Sequence, residues 1–178
     1  MLQKCSIYKT AGIFFNEPTK EHYLKEISRK AKLAHTSVKQ HLKSLKSLSI
    51  ITETKEKKGT RSFPIYKANL YNNNYKKYKR MYNLNKLMES GIINHIKDNF
   101  MPNSIILFGS FQKGEDIEDS DIDIFVESKE KKIELGSFSK KLDRKIQLHF
   151  KENFKDYPKE LRNNIINGLI LEGYLEAY

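Results

Sequence analysis

The sequence predicts an α+β chain of two domains. The first is basic and helical and ends in a hairpin; in the second, a mixed sheet is flanked by helices. Three observations carry this. Apolar residues recur at spacings of three and four from Ile7 to Leu45. The stretch SIITETKEKKGTRSFPIYKAN alternates on either side of a polar tip. Beyond residue 100, short apolar strand-like runs take turns with helical ones. The expected boundaries are 1–70 and 101–178, with linker helices over 71–100.

Composition allows a packed core. Of 178 residues, 38% are hydrophobic and 31% charged, which sets the chain apart from disordered sequences. The net charge of +11 is uneven. Residues 1–100 hold 21 Lys and Arg against 7 Asp and Glu, a balance of +14, and the remainder hold 12 against 15, a balance of −3. The basic part suits a polyanion and the acidic part suits cations. No run approaches the ~20 apolar residues of a membrane span. The opening MLQKCSIYKTAGIFFNEP has no signal-peptide pattern. Cys5 is the single cysteine, so no intramolecular disulfide forms and a cytoplasmic location is expected.

In chain order, Ile7, Ala11, Phe14 and Phe15 mark a first helix that stops at Asn16-Glu17-Pro18. Thr19 is placed to cap a second helix whose Leu24, Ile27 and Ala31 face one way. Lys32-Leu33-Ala34 is a tight connection to a third helix that begins near Thr36 and buries Val38, Leu42 and Leu45. Two short helices joined this way form a helix-turn-helix pattern. His35, Ser37, Lys39, Gln40 and Lys43 are left on exposed faces, with side chains suited to phosphates and base edges. The hairpin carries Lys57, Lys58 and Arg61 in its polar tip, Glu56–Arg61. Three helices and a basic hairpin make a winged helix-turn-helix, and its expected partner is double-stranded DNA. A homodimer is compatible with a two-fold operator.

From Asn69 to Phe100, YKKYKRMY mixes aromatics with bases, while Leu84, Leu87, Met88, Ile92, Ile93 and Ile96 continue a helical stripe of the linker. Ser104–Phe108 then reads as a buried strand that Gly109 ends, where glycine allows close approach of backbone and ligand. Ser110 opens a short helix whose free N–H groups and hydroxyl favour phosphate. In Asp121-Ile122-Asp123-Ile124-Phe125-Val126, residues two apart share a strand face, so Asp121 and Asp123 present their carboxylates together. Such a pair calls for a hard divalent ion, typically Mg2+ shared with substrate phosphates. The tail supplies a helix at SFSKKLDRK, a strand at KIQLHF, a helix over Leu161, Ile165, Ile166 and Leu169, and a short edge strand.

Gly109-Ser110, ten intervening residues and Asp121-Ile122-Asp123 resemble the signature of DNA polymerase beta-like nucleotidyltransferases. The text LFGSFQKGEDIEDSDIDIFV is similar to the minimal members of that family and, distantly, to kanamycin nucleotidyltransferase. The two-domain order resembles a group of prokaryotic, mainly archaeal, proteins. The resemblance implies that Gly109 and Ser110, with Lys113 nearby, hold the triphosphate of ATP or another nucleoside triphosphate. It implies that Asp121 and Asp123 hold two Mg2+ ions, and that a nucleotide passes to an acceptor with release of pyrophosphate. The acceptor could be a protein hydroxyl, a nucleic-acid end or a small molecule.

The family commonly adds a third carboxylate from a later strand, and here that position falls on Gln147, an amide that cannot act as a base. His149, two residues on and on the same face, is the other candidate third ligand. Glu115, Asp116, Glu118 and Asp119 read as solvated loop acids. Gln147 therefore supports an alternative, a DNA-binding regulator whose second domain senses a nucleotide with little or no catalysis. A further alternative is an antitoxin-like partner of a small helical RNase.

Overall fold

A computed structural model describes residues 5–152, 154 and 157–176. The chain divides into two compact units, Met1–Tyr82 and Asn83–Tyr178.

The first unit opens with α1 (Ser6–Asn16), followed by β1 (Glu21–Tyr23), α2 (Leu24–Ala31), α3 (His35–Ser47), β2 (Ile51–Lys58) and β3 (Arg61–Ala68). The apolar residues expected to face inward do so: Phe14, Ile27, Val38, Leu42 and Leu45 share one core. His41 of α3 makes hydrogen bonds with Ser6 and the buried Thr10, tying α3 to α1. Lys32 takes the left-handed conformation (φ 54°) at the end of α2, which lets the chain turn through Leu33 and Ala34 into α3.

Two expectations need correction here. Thr19 does not start a helix. The chain first forms β1, which pairs antiparallel with β3 from Glu21 opposite Lys67 to Tyr23 opposite Ile65, and α2 begins only at Leu24. The polar tip is also shorter than expected. Lys57, Lys58 and Arg61 lie within the paired strands, Lys58 opposite Arg61, and Gly59 and Thr60 alone make the turn. The sheet order is β1-β3-β2.

The unit boundary falls inside α4 (Asn73–Ser90). The second unit continues with α5 (Ile92–Phe100), β4 (Ser104–Phe108), α6 (Gly109–Lys113), β5 (Ile122–Glu127), α7 (Gly136–Leu142), β6 (Ile146–Lys151), α8 (Lys159–Ile166) and β7 (Leu169–Gly173). Leu169, expected in the last helix, belongs to β7, and Ile166 is exposed.

The sheet order is β6-β5-β4-β7. β5 and β6 run parallel, which needs the α7 crossover, and the other pairs are antiparallel. Because side chains alternate along a strand, the sheet has two distinct faces. Ile105, Leu107, Ile122, Ile124 and Val126 pack into the larger core with α5. Ile106, Phe108, Phe125 and Ile165 form a smaller core on the other face. Asp123 lies opposite Phe108 and so shares the second face, at the end of the sheet where β4 gives way to α6. Among the described residues no helix is long and apolar enough to cross a membrane.

Candidate active site

Gly109 is the point where β4 meets the acids. Its φ of +77° lies in the region that favours glycine, and a Cβ placed there would sit 2.5 Å from Asp123 Oδ2. Backbone and carboxylate thus approach more closely than any side chain at residue 109 would permit. Ser110 follows within the first turn of α6, half-buried. Lys113 is exposed at the far end of that short helix, next to the C-cap Gly114.

Asp123 is also held from the other side. His149 Nε2 lies 3.1 Å from Asp123 Oδ1, and the His149 ring packs on Phe108 with centroids 5.1 Å apart. Gln147 is the parallel partner of Asp123 in the β5/β6 register, but it is exposed. Of the two candidate third ligands, His149 is the one in hydrogen-bond contact with the Asp123 carboxylate. The contact follows from parallel pairing, which sets β6 so that His149 is diagonal to Asp123.

Asp121 stands immediately before β5, where Ile122 N–H donates to Lys145 O at 2.8 Å. It lines an open cleft of about 450 Å³ with Ser120, Ser139, Lys140, Arg144 and Lys145. Carboxylate and cationic side chains therefore share one opening. Asp123 and His149 are in contact, while Asp121 opens on the cleft; carboxylates are the hard oxygen donors that Mg2+ takes, and imidazole suits softer ions.

The loop acids are not all solvated, which corrects the reading of Asp116. Asp116 is 1% exposed. Asn83 Nδ2 donates to its Oδ1 at 2.7 Å and to Phe111 O at 2.9 Å, and Arg144 Nη2 lies 3.7 Å from Oδ2. These contacts fasten the loop between α6 and β5, which spaces Gly109 from Asp121. Lys86 Nζ donates to Leu142 O at 3.2 Å. Burial first, and the nearby Arg144 charge second, hold Lys86 below the ordinary lysine pKa. Nothing in the local sequence around Asp116 or Arg144 signals this network, because its members come from α4, a loop and the turn before β6.

In the first unit, Lys39, Gln40 and Lys43 are exposed on α3 and Ser37 is half-buried, while Lys57 and Arg61 are exposed on the hairpin. Lys58 is engaged locally: its Nζ donates to Tyr23 Oη at 3.0 Å and lies 3.2 Å from Glu56 Oε2.

Comparison with curated proteins and with solved structures found no match. Residues 89–171 match the family model of the nucleotidyltransferase domain, a stretch that takes in Gly109, Ser110, Asp121, Asp123 and His149.

Proposed function

We propose that the second unit transfers a nucleotidyl group from a nucleoside triphosphate, ATP in the first instance, to an acceptor with release of pyrophosphate. The observation that carries this is the close approach of Gly109 to Asp123 within the stretch matching the nucleotidyltransferase family. A strand that ends in glycine puts no side chain between its backbone and an approaching phosphate, next to an acid that can share a cation with it.

Asp121 and Asp123 are the residues that would hold Mg2+, which supplies charge neutralisation of the triphosphate and activation of the acceptor oxygen. Gly109 and Ser110 offer backbone and hydroxyl hydrogen bonds to the phosphates, and Lys113 is available for charge at the end of α6. His149 positions the Asp123 carboxylate by its hydrogen bond. The acceptor oxygen bonds to the α-phosphorus as the bond to pyrophosphate breaks. The test is incubation with α-labelled nucleotides and Mg2+, with Asp121→Ala and Asp123→Ala as controls. Label transfer lost in both variants supports the reading, and no metal-dependent transfer to any offered acceptor counts against it.

The first unit is proposed as a winged helix-turn-helix that binds duplex DNA. The order of helices, the two-residue hairpin turn and the exposed Lys39, Gln40 and Lys43 of α3 support this. A second reading is favoured by Gln147, whose neutral amide stands in register with Asp123. On that reading the second unit senses a nucleotide and the chain is a DNA-binding regulator. ATP-altered, salt-sensitive DNA retardation without pyrophosphate release selects it.

A further inference from the structure

We propose that His22 and Glu17, with Glu26 orienting the imidazole, form a binding site for a divalent transition-metal ion, with Zn2+ as the test ion. The site lies wholly in the first unit and is independent of the proposed nucleotidyl-transfer reading. Each residue offers one ligand atom, and these atoms lie within 4.8 Å of one another. They come from three places, the turn after α1, strand β1 and the first turn of α2.

The second observation is the state of His22. Its side chain is fully buried, and its ring packs edge-on to Phe14 with centroids 5.5 Å apart. Nδ1 lies 3.1 Å from Glu26 Oε1, and Nε2 is buried with no hydrogen-bond partner. A neutral ring donating Nδ1–H to Glu26 carries its lone pair on Nε2. That lone pair faces Glu17 Oε2 at 3.6 Å, so two electron-rich atoms oppose each other. A cation about 2.0–2.1 Å from each would hold its ligand atoms roughly 3.4–3.6 Å apart at tetrahedral or slightly wider angles. A carboxylate on one nitrogen of an imidazole and a metal on the other is a recurrent arrangement, in which the carboxylate fixes the tautomer and raises ligand basicity. Nitrogen and carboxylate donors together suit Zn2+, Mn2+ or Co2+ better than Mg2+.

The same carboxylates already meet cations. Lys30 contacts Glu17 and lies 2.8 Å from Glu26 Oε1, and Lys20 lies 3.2 Å from Glu17 Oε1. Lys30 and Lys20 reach solvent, so a metal ion would displace their ammonium groups outward. Lys30 is therefore a competitor for the site.

The test is calorimetric titration of the full chain with Zn2+ after chelator treatment, in an Asp121→Asn/Asp123→Asn background that removes the other carboxylate pair. One bound ion per chain is expected. Glu26→Gln should weaken it by about 10–100-fold as an orienting partner, Glu17→Gln by at least as much, and Lys30→Met should tighten it. Ring 15N spectra of the same protein should show Nε2 of His22 shifting on Zn2+ addition. No binding overturns the proposal, as does binding unchanged by Glu17→Gln and Glu26→Gln or a His22 resonance that Zn2+ leaves in place; His22 is then an imidazole held between two carboxylates only.

Discussion

Replacing Gly109 with alanine tests the geometry on which the proposed chemistry rests. The new Cβ would stand 2.5 Å from Asp123 Oδ2, against 3.4 Å for the near edge of ordinary contact, so the carboxylate must retreat by 0.9 Å. Its other oxygen is in contact with His149 at 3.1 Å, and retreat would disturb that bond. A misplacement of about 1 Å at a reacting centre is worth ~10²-fold in rate. The backbone adds its own cost, since φ of +77° in a non-glycine residue carries about 1–2 kcal/mol, or roughly 4–8 °C of melting temperature for each kcal/mol in a unit of this size. The assays are Mg2+-dependent pyrophosphate release and thermal melting, in wild-type and Asp123→Ala backgrounds. Gly109→Ala should lower release about 100-fold, and its stability cost should shrink in the Asp123→Ala background, where the clash is gone. Release within about twofold of wild type, or a stability cost equal in both backgrounds, would refute the reasoning.

Asp116→Ala removes the carboxylate that Asn83 and Arg144 address in the interior. It should cost about 3–5 kcal/mol by denaturant unfolding, where a solvated loop acid would cost almost nothing. Glu17 and Glu26 have folded pKa values below 4.5 because their lysine hydrogen bonds, with His22 at Glu26, outweigh burial. Their contribution to stability is full above 4.5 and is lost as pH falls through the lowered values, so melting temperature should drop in that acid range and drop less in Lys30→Met. Lys39→Gln and Lys43→Gln should weaken duplex binding and each reduce the slope of log affinity against log salt by about 1, measured by fluorescence anisotropy.

The parts of the fold visible in the sequence are those whose periodicity spans several turns. Val38, Leu42 and Leu45 announce α3, and Ser104–Phe108 announces β4, because each element carries its own pattern. β1 carries none. Three residues cannot display alternation, and their conformation is set by β3, a distant strand that supplies their hydrogen bonds. The turn at Gly59-Thr60 was visible as turn chemistry, yet the reach of the flanking strands depended on pairing of Lys57 with Ser62 and Lys58 with Arg61.

The candidate site divides in the same way. Gly109 and Asp123, which the structure brings together, are legible because a glycine break and strand alternation lie within one short stretch. Their hydrogen-bonded neighbour His149 is visible only as one of two candidates, since the β5/β6 register sets the diagonal that brings it to Asp123. Asp116 is indistinguishable from its acidic neighbours until Asn83 and Arg144 are brought to it from other elements. The same is true of the cluster around His22, whose members belong to the turn after α1, β1 and α2.

The most direct test of the central claim is pyrophosphate release from ATP in the presence of Mg2+, followed with α-labelled nucleotide and compared between wild type and Asp123→Ala. The account predicts metal-dependent release with label carried to an acceptor by the wild type, and neither in a folded Asp123→Ala variant. Equal release by the two proteins, or none by the folded wild type with any nucleoside triphosphate and acceptor offered, would contradict it.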